Sequence, residues 1–396
     1  MTAILVVNSG SSSFKYQLID METEGVLASG LVERIGEASG HARHTAGTGE
    51  SARDLPIPDH TAGFDVMLEA FAEHGPSLQD AGLVAVGHRV VHGGKRFFEP
   101  TVVTELVKIN IQDLAELAPL HNPANLQGIV AAEKAFPEVP HVAVFDTAFH
   151  RTLPPAAYSY AIDAALAEQY RVRRYGFHGT SHKFVSEAAA AFLGRPLGEL
   201  RQIVLHLGNG ASACAVDGGA SVETSMGMTP LQGLVMGTRS GDVDPAVLFH
   251  LHRKAGLGFE QLDTLLNRGS GLLGLSGRGD MRDVVEAAAS GDEAAQLALD
   301  VYLHRIKDYV GSYHAQLGGA DVIVFTAGVG ENSAVVRAGA LAGLEALGIE
   351  IDPARNEASS HEARVISTDA SRVTVLVVPT NEELEIARQA LAVVGG

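Results

Sequence analysis

The sequence has one cysteine and few basic residues, and both shortages exclude classes of function. Because Cys214 is the only cysteine in 396 residues, an intramolecular disulfide framework and a multi-cysteine zinc site are excluded. Its neighbours Ala213 and Ala215 indicate a small buried side chain rather than a nucleophile. The 29 basic residues face 47 acidic ones, a formal net charge of −18 that argues against nucleic acid or an anionic membrane as partner.

Long apolar runs are also missing. The apolar segment at the start extends only from Ala3 to Val7, which is too short for the core of a signal peptide. No other stretch reaches the length of a membrane span, so we expect a cytoplasmic protein without a membrane partner. A chain of 396 residues exceeds the size of one ordinary hydrophobic core and allows two domains.

Two parts of the chain share the pattern strand, small-residue turn, strand. The first is residues 4–19 around the turn 8–13, and the second is residues 203–216 around the turn 208–210. A third apolar strand, residues 322–325, also leads to a glycine turn and then to a helix. Strand and helix signals alternate throughout, so the fold class is α/β. The repeated hairpins predict two related domains, each opening with a turn that faces phosphate.

Punctuation by proline, glycine and capping residues marks several other elements. Thr180 or Ser181 is the expected cap of a helix that ends before Gly194. The polar segment from Gly36 to His60 has no clear period and is expected to be a loop, and the domain boundary is expected near His150 to Pro155. Further helices are expected at residues 122–135 (with Asn122 as N-cap), 293–317 and 382–394.

Turns of small residues after strands allow backbone N–H groups to approach an anion closely. None of the three turns fits the P-loop pattern G-x-x-x-x-G-K-[ST], so a P-loop enzyme is excluded. Lys15 lies just beyond the first of these turns, and Arg89 and Arg239 each lie within a few positions of other glycines. A guanidinium among small residues suits carboxylate or phosphate, although each arginine could equally be a solvated surface charge.

Other polar residues stand where ligands collect in α/β proteins. His178 and His121 precede helix N-termini, which favour anions. Asp146 and Glu382 follow strands, at the edge where ligands of open sheets bind, and one or both could hold Mg²⁺. The alternative for both acids is a purely structural turn, cap or first-turn carboxylate.

Taken together, these segments resemble the acetate kinase family, in order and at family spacing from Val6 to about Arg388. The matching segments are residues 8–15, 88–94, 144–150, 175–182, 206–212, 224–245, 325–332 and 380–384. One departure is the run Ser276 to Asp280, which is one residue shorter than the family pattern before its Asp-Met-Arg motif.

The resemblance implies two duplicated actin-like, ribonuclease H-like domains with an interdomain cleft, the fold of acetate and sugar kinases, heat-shock chaperones and actin. The domains would be residues 1–150, completed by 382–396, and residues 151–381. The implied metal ligands, for Mg²⁺ or a substituting Mn²⁺, are Asn8 and Glu382. The implied catalytic residues are Arg89, Asp146, His178 and Arg239. The implied residues around the acid, besides Arg89, are Val91, Leu120, His121, Phe177 and Pro230. The implied ATP and ADP contacts are Ser11, Ser13, Lys15, His206, Leu207, Gly208, Asn209, Gly210, Asp280, Met281, Arg282, Gly328, Val329, Gly330, Glu331 and Asn332.

The implied reaction is reversible transfer of the γ-phosphoryl group of ATP to acetate, giving acetyl phosphate and ADP, in a homodimer. Propionate or butyrate is the alternative acceptor, and Val91 favours acetate because it should narrow the pocket. A chaperone or filament protein of the same fold is the alternative from another class. We expect it less, because the chain ends at Gly396, soon after the last matching segment.

Overall fold

The structure is a computed structural model that describes residues 2–47 and 49–395. It divides into two compact units. The first comprises the residues up to 148 together with those from 381 onwards, and the second comprises residues 149–380. The C-terminal helix, Glu382–Val394, therefore belongs to the first unit.

The described residues of the first unit form an eight-stranded sheet flanked by helices, with strand order β5-β4-β3-β2-β1-β6-β8-β7. Strand β1 reads as a continuous apolar run because both of its faces are covered. On one face the C-terminal helix approaches so closely that a Cβ on Gly87 would lie 2.9 Å from Cγ2 of Ile386. The elements are β1 (Ala3–Ser9), β2 (Ser13–Asp20), β3 (Gly25–Glu33), β4 (Gly40–Ala46), β5 (Gly49–Leu55), α1 (His60–His74), β6 (Leu83–Val90), β7 (Thr101–Val102), α2 (Glu105–Asp113), α3 (Asn122–Ala135) and β8 (His141–Phe145).

The described residues of the second unit form a six-stranded sheet, with strand order β11-β10-β9-β12-β14-β13, surrounded by helices. Val204, Val324 and Leu376 from its central strands pack in one cluster with Val185. The elements are α4 (Pro155–Tyr158), α5 (Ala164–Gln169), α6 (Gly179–Leu193), β9 (Arg201–Leu207), β10 (Ala211–Asp217), β11 (Ala220–Thr224), α7 (Ala246–Ala255), α8 (Phe259–Arg268), α9 (Gly271–Ser276), α10 (Met281–Ala289), α11 (Glu293–Gln316), β12 (Val322–Thr326), α12 (Ala327–Asn332), α13 (Ala334–Leu341), α14 (Pro353–Glu357), β13 (Arg364–Val365) and β14 (Thr374–Val377).

The two sheets repeat one topology. In each, an antiparallel hairpin (β1–β2 or β9–β10) is followed outward by a third antiparallel strand, and its first strand pairs in parallel with a crossover strand. A second parallel strand and a final short antiparallel strand complete both sheets. The α/β class and both predicted hairpins are confirmed, and the topology gives the duplication a structural basis.

Three local expectations are wrong. The segment from Gly36 to His60 is not a loop, because it contains the antiparallel pair β4–β5 at the edge of the first sheet. The side chain of Asn122 does not cap α3, since it bonds the backbone of His92 and the N-cap position is His121. Helix α6 begins two or three positions earlier than expected, with His178 rather than Thr180 or Ser181 at its N-cap position.

The predicted small, buried character of Cys214 is confirmed. Its side chain is fully buried within β10, and burial raises the pKa of its thiol to about 12. Among residues 2–47 and 49–395, no helix combines the length and apolar character needed to cross a membrane.

Candidate active site

In the first unit, Arg89 and the buried Asp146 form a partly buried ion pair at the ends of neighbouring parallel strands. Arg89 lies near the end of β6, and Asp146 follows β8 directly. Nε of Arg89 lies 3.0 Å from both carboxylate oxygens of Asp146, and Nη2 lies 2.6 Å from Oδ2. Burial opposes the charge of Arg89, but the charges of Asp146 and Glu382 raise its pKa above its usual value. Asp146 therefore orients a guanidinium that stays charged.

Asn8 and Glu382 lie near this pair. Oδ1 of Asn8 is 3.5 Å from Nη1 of Arg89, a weak contact at most. Glu382 begins the C-terminal helix, and its buried Oε1 has no hydrogen-bond partner among the described residues. Burial raises the pKa of Glu382 to about 7, while the charge of Arg89 opposes this rise. An amide oxygen and an unsatisfied carboxylate oxygen are suitable ligands for Mg²⁺.

The first small-residue turn connects β1 to β2. The N–H of Gly10 donates to the carbonyl of Ser13 over 2.7 Å, and His60 Nε2 bonds the carbonyl of Gly10 over 2.9 Å. Ser11 and Lys15 are exposed. Two hydrogen bonds thus hold the turn, while Ser13 is half-buried and Ser11 stays exposed.

The three residues of this unit expected around the acid differ in burial. Val91 is buried, and its N–H donates to Oδ1 of Asn125 over 3.0 Å. Leu120 is 54% exposed, and His121, at the N-cap position of α3, is also exposed. Of these three residues Val91 alone is buried, as expected for a wall of a methyl pocket.

In the second unit, the turn Gly208–Gly210 follows His206 and Leu207 of β9. The side chains of Arg239 and His178 lie close to this turn. A Cβ built on Gly210 would lie 2.7 Å from Nη2 of Arg239 and 3.5 Å from Nε2 of His178. A side chain at position 210 would therefore have to displace the guanidinium of Arg239. Nη1 of Arg239 donates to the carbonyl of Pro230 over 2.6 Å, and burial lowers the pKa of Arg239.

His178 occupies a left-handed conformation (φ 57°, ψ 25°) immediately before α6. A non-glycine residue in this region is uncommon, and such strain concentrates at functional sites. Its Nδ1 lies 2.9 Å from Oγ of Ser212, and its ring stacks on His206 with centroids 4.3 Å apart. The carbonyl of the preceding, buried Phe177 bonds Nε2 of His150 over 3.0 Å. The backbone before His178 is thereby fixed.

A cavity of about 890 Å³ opens beside the same turn. Of the expected nucleotide contacts, eight line it: Gly208, Asn209, Asp280, Met281, Arg282, Gly328, Val329 and Asn332. Gly330 instead packs towards Phe325, and the carboxylate of Glu331 accepts from the N–H groups of Ala327 and Thr380. Gly330 and Glu331 therefore support the wall of the cavity rather than lining it. Hydrogen bonds from Arg282 lower the pKa of Asp280 to about 2.

Several residues with evident roles in this arrangement were not individually predicted. Ser212 and His182 bond each other behind His178, and Ser181 bonds both His206 and Thr380. Arg337 is 2% exposed and donates to the carbonyls of Gly330 and Glu331 in α12. A serine or arginine inside a helix or strand has no distinctive local signal, because its partner is brought to it only by folding.

In the part of the chain that the structure describes, no group of three or more histidine, cysteine, aspartate or glutamate side chains could hold a metal ion. A transition-metal site of that kind is therefore not formed by residues 2–47 and 49–395. Mg²⁺ needs no such cluster, since it keeps several waters and takes one or two carboxylates.

Comparison with known proteins identifies one family over nearly the whole chain. The model of the acetokinase family matches residues 3–388. An acetate kinase from Leifsonia xyli subsp. xyli is 70% identical over 394 residues, which cover 100% of this chain and 99% of the relative. The crystal structure of Porphyromonas gingivalis acetate kinase has a TM-score of 0.95 at 43% identity, with 99% of this chain and 100% of that chain covered.

A propionate kinase from Francisella tularensis subsp. tularensis is also similar, with a TM-score of 0.93, 41% identity and coverage of 99% and 100%. The matches agree with the resemblance read from the sequence and with the repeated α/β topology. The chain belongs to the acetokinase family.

Proposed function

We propose that this protein is an acetate kinase that transfers the γ-phosphoryl group of ATP reversibly to acetate, with Mg²⁺, giving acetyl phosphate and ADP. The observation that carries the proposal is the 70% identity, over the whole chain, to a relative named acetate kinase. The geometry of each unit is consistent with the chemistry that this reaction requires.

The reaction needs charge compensation more than proton transfer. A carboxylate oxygen of acetate forms a bond to the γ-phosphorus, and the bond from that phosphorus to the β,γ-bridging oxygen breaks, leaving its electron pair on ADP. Carboxylic acids titrate near pH 4, so acetate is already a nucleophile at neutral pH. Since both reactants are anions, positioning and cationic stabilisation supply most of the catalysis.

The cavity of the second unit is the proposed site for the nucleotide. Its volume lies in the usual range for small-molecule sites. Met281, Val285 and Val329 provide apolar surface for the adenine, and Gly208 and Asn209 bring the phosphate turn to one side of it. Arg239 and His178, which lie over Gly210, are the proposed donors to the transferring phosphoryl group.

The first unit supplies the proposed acid and metal contacts. Arg89, held charged by Asp146, would bind the carboxylate of acetate, and Val91 would contact its methyl group. Asn8 and Glu382 would hold Mg²⁺, and the unsatisfied buried oxygen of Glu382 supports this assignment. The ion would neutralise phosphate charge when bound.

Propionate is the second candidate acceptor, because a propionate kinase matches the fold as well as acetate kinases do. One methylene changes binding in an apolar pocket by about 1–3 kcal/mol, so the two acids would be discriminated by degree.

The deciding experiment measures acyl phosphate, trapped with hydroxylamine, and ADP from ATP and Mg²⁺ with acetate, propionate or butyrate. We expect the highest kcat/KM for acetate. Arg239→Ala should lower kcat by about 10²–10³-fold, whereas Arg253→Ala, an exposed arginine of α7, should not. Higher kcat/KM with propionate would establish the second candidate, and no product with any acid would refute both.

A further inference from the structure

A serine hydroxyl lies between two imidazoles behind the phosphate turn of the second unit. Ser212 of β10 is fully buried, and its Oγ lies 2.9 Å from Nδ1 of His178 and 2.7 Å from Nε2 of His182. The two histidines are four residues apart, His178 at the N-cap of α6 and His182 in its first turn, and both reach the same hydroxyl. One oxygen therefore contacts the inner nitrogen of His178 and a second, deeper histidine.

His182 determines which atom donates in each of these two hydrogen bonds. His182 is fully buried, and its Nδ1 has no hydrogen-bond partner among the described residues. Burial lowers the pKa of His182 well below its usual value, so its ring is neutral and carries one proton. A buried N–H without an acceptor costs about 1–3 kcal/mol, whereas an unused lone pair is better tolerated. The proton therefore lies on Nε2, which donates to Ser212.

The direction of that bond fixes the next one. The hydroxyl of Ser212 has one proton. Because its oxygen accepts the hydrogen bond from His182, the hydroxyl donates its own proton in the hydrogen bond to Nδ1 of His178. Nδ1 of a neutral His178 is thus the lone-pair nitrogen, and its proton lies on Nε2. That is the nitrogen near the position where a Cβ on Gly210 would stand, beside Arg239. The opposite tautomer would place a lone pair there.

We propose that His182 and Ser212 are positioning residues that hold His178 in the Nε2–H tautomer, so that it presents a hydrogen-bond donor to phosphate oxygen at the turn Gly208–Gly210. This role rests on the proposed phosphoryl transfer, because a donor at this position is useful only to an anionic ligand. The strained backbone of His178 agrees with it, since the bond to Ser212 holds the ring in place from behind.

The tautomer can be measured without substrate. In protein labelled with ¹⁵N-histidine, two-bond ¹H–¹⁵N correlations distinguish protonated from unprotonated ring nitrogens, at a pH well above the ordinary histidine pKa of about 6.5. We expect His178 and His182 both to carry their proton on Nε2, with signals assigned from His178→Gln and His182→Gln. A proton on Nδ1 of either ring would overturn the proposal. Because no reaction is needed, this result is independent of the proposed function.

Kinetics test whether the chain of bonds matters for turnover. Ser212→Ala should lower kcat by about 10–100-fold with little change in either KM, as is usual when a supporting partner of a functional histidine is lost. Ser212→Thr, which keeps the hydroxyl, should recover most of that loss. Ser186→Ala is the matched control, because Ser186 is a buried serine of α6 whose hydroxyl donates to the carbonyl of Lys183.

The second position offers an independent variant. His182→Gln keeps an N–H donor on a side chain of similar reach, whereas His182→Leu removes it, so we expect higher kcat in the former. A kcat for Ser212→Ala equal to that of the native protein, or equal losses in His182→Gln and His182→Leu, would reject the positioning role. Loss of folding in one variant would leave the decision to the other position and to the native tautomer.

Discussion

At the scale of single residues, the site depends on how arginines and histidines are held. Asp146 is 1% exposed and gives both carboxylate oxygens to Arg89. A carboxylate already engaged by a guanidinium on both oxygens is poorly placed to exchange protons with a substrate. We therefore interpret Asp146 as orienting Arg89.

This interpretation predicts the behaviour of Asp146→Asn. The amide keeps the shape but loses the charge and one acceptor, so kcat should fall by about 10²-fold or more as Arg89 loses its orientation. The pH–rate profile should keep its form. Arg96→Ala, which breaks an exposed ion pair in the same unit, is the control and should retain normal kcat. Disappearance of an acid limb in Asp146→Asn, with substrate binding intact, would instead establish proton transfer by Asp146.

At the scale of elements, short segments are held in place by buried side chains from later in the chain. Helix α12 has only six residues and borders the cavity beside the turn Gly208–Gly210. Arg337 of α13 donates to the carbonyls of Gly330 and Glu331 over 3.0 and 2.9 Å, and also to the side chain and backbone of Asn356. A helix this short is marginal without such support.

Replacing Arg337 should destabilise α12, because the hydrogen bonds to two of its carbonyls are lost. Arg337→Ala leaves several buried acceptors unsatisfied, so we expect a loss of about 3 kcal/mol or more in the free energy of unfolding, together with weaker ADP binding. Urea unfolding and calorimetric titration with ADP measure the two effects. Arg195→Ala, an exposed arginine of the same unit, should change neither. Unchanged ADP affinity in Arg337→Ala would show that α12 keeps its shape without this contact.

At the scale of the whole molecule, each of the two units buries histidines: His88 in the first, and His150 and His182 in the second. Burial lowers the pKa of His150 to about 4 and holds the pKa values of His88 and His182 well below the usual range. The formal net charge of −18 is that of the whole chain. The homodimer implied by the family resemblance stays a prediction.

The lowered pKa values of these histidines predict that the folded protein loses stability in acid. Between pH 6.5 and about 4 the unfolded chain binds a proton at position 150 that the folded protein does not, so stability is full above pH 6.5 and falls as pH decreases through this window. His150 alone contributes about 3 kcal/mol to this loss. Urea unfolding across the range measures it. His150→Gln should flatten the dependence, and a free energy of unfolding independent of pH would contradict the prediction.

Much of the local structure was predictable because it depends on neighbours in sequence. The hairpins β1–β2 and β9–β10 follow from apolar runs divided by small-residue turns, and the C-terminal helix was expected at its observed residues, 382–394. The hairpin β4–β5 was missed because both strands carry few large apolar residues, so that neither the alternating burial of β4 nor the pairing of the edge strand β5 has a clear apolar pattern in the sequence. Family membership came from the same local motifs in order.

By itself, the sequence determined the α/β class, the family and the places where a phosphate turn, an arginine or an acid could act. Only the tertiary structure decided which of these residues meet within each unit. It paired Arg89 with Asp146, opened a cavity beside Gly208, and placed Ser212 between His178 and His182. The physical reason is that hydrogen-bond direction, burial and tautomer depend on distances between residues far apart in sequence, and folding alone sets those distances.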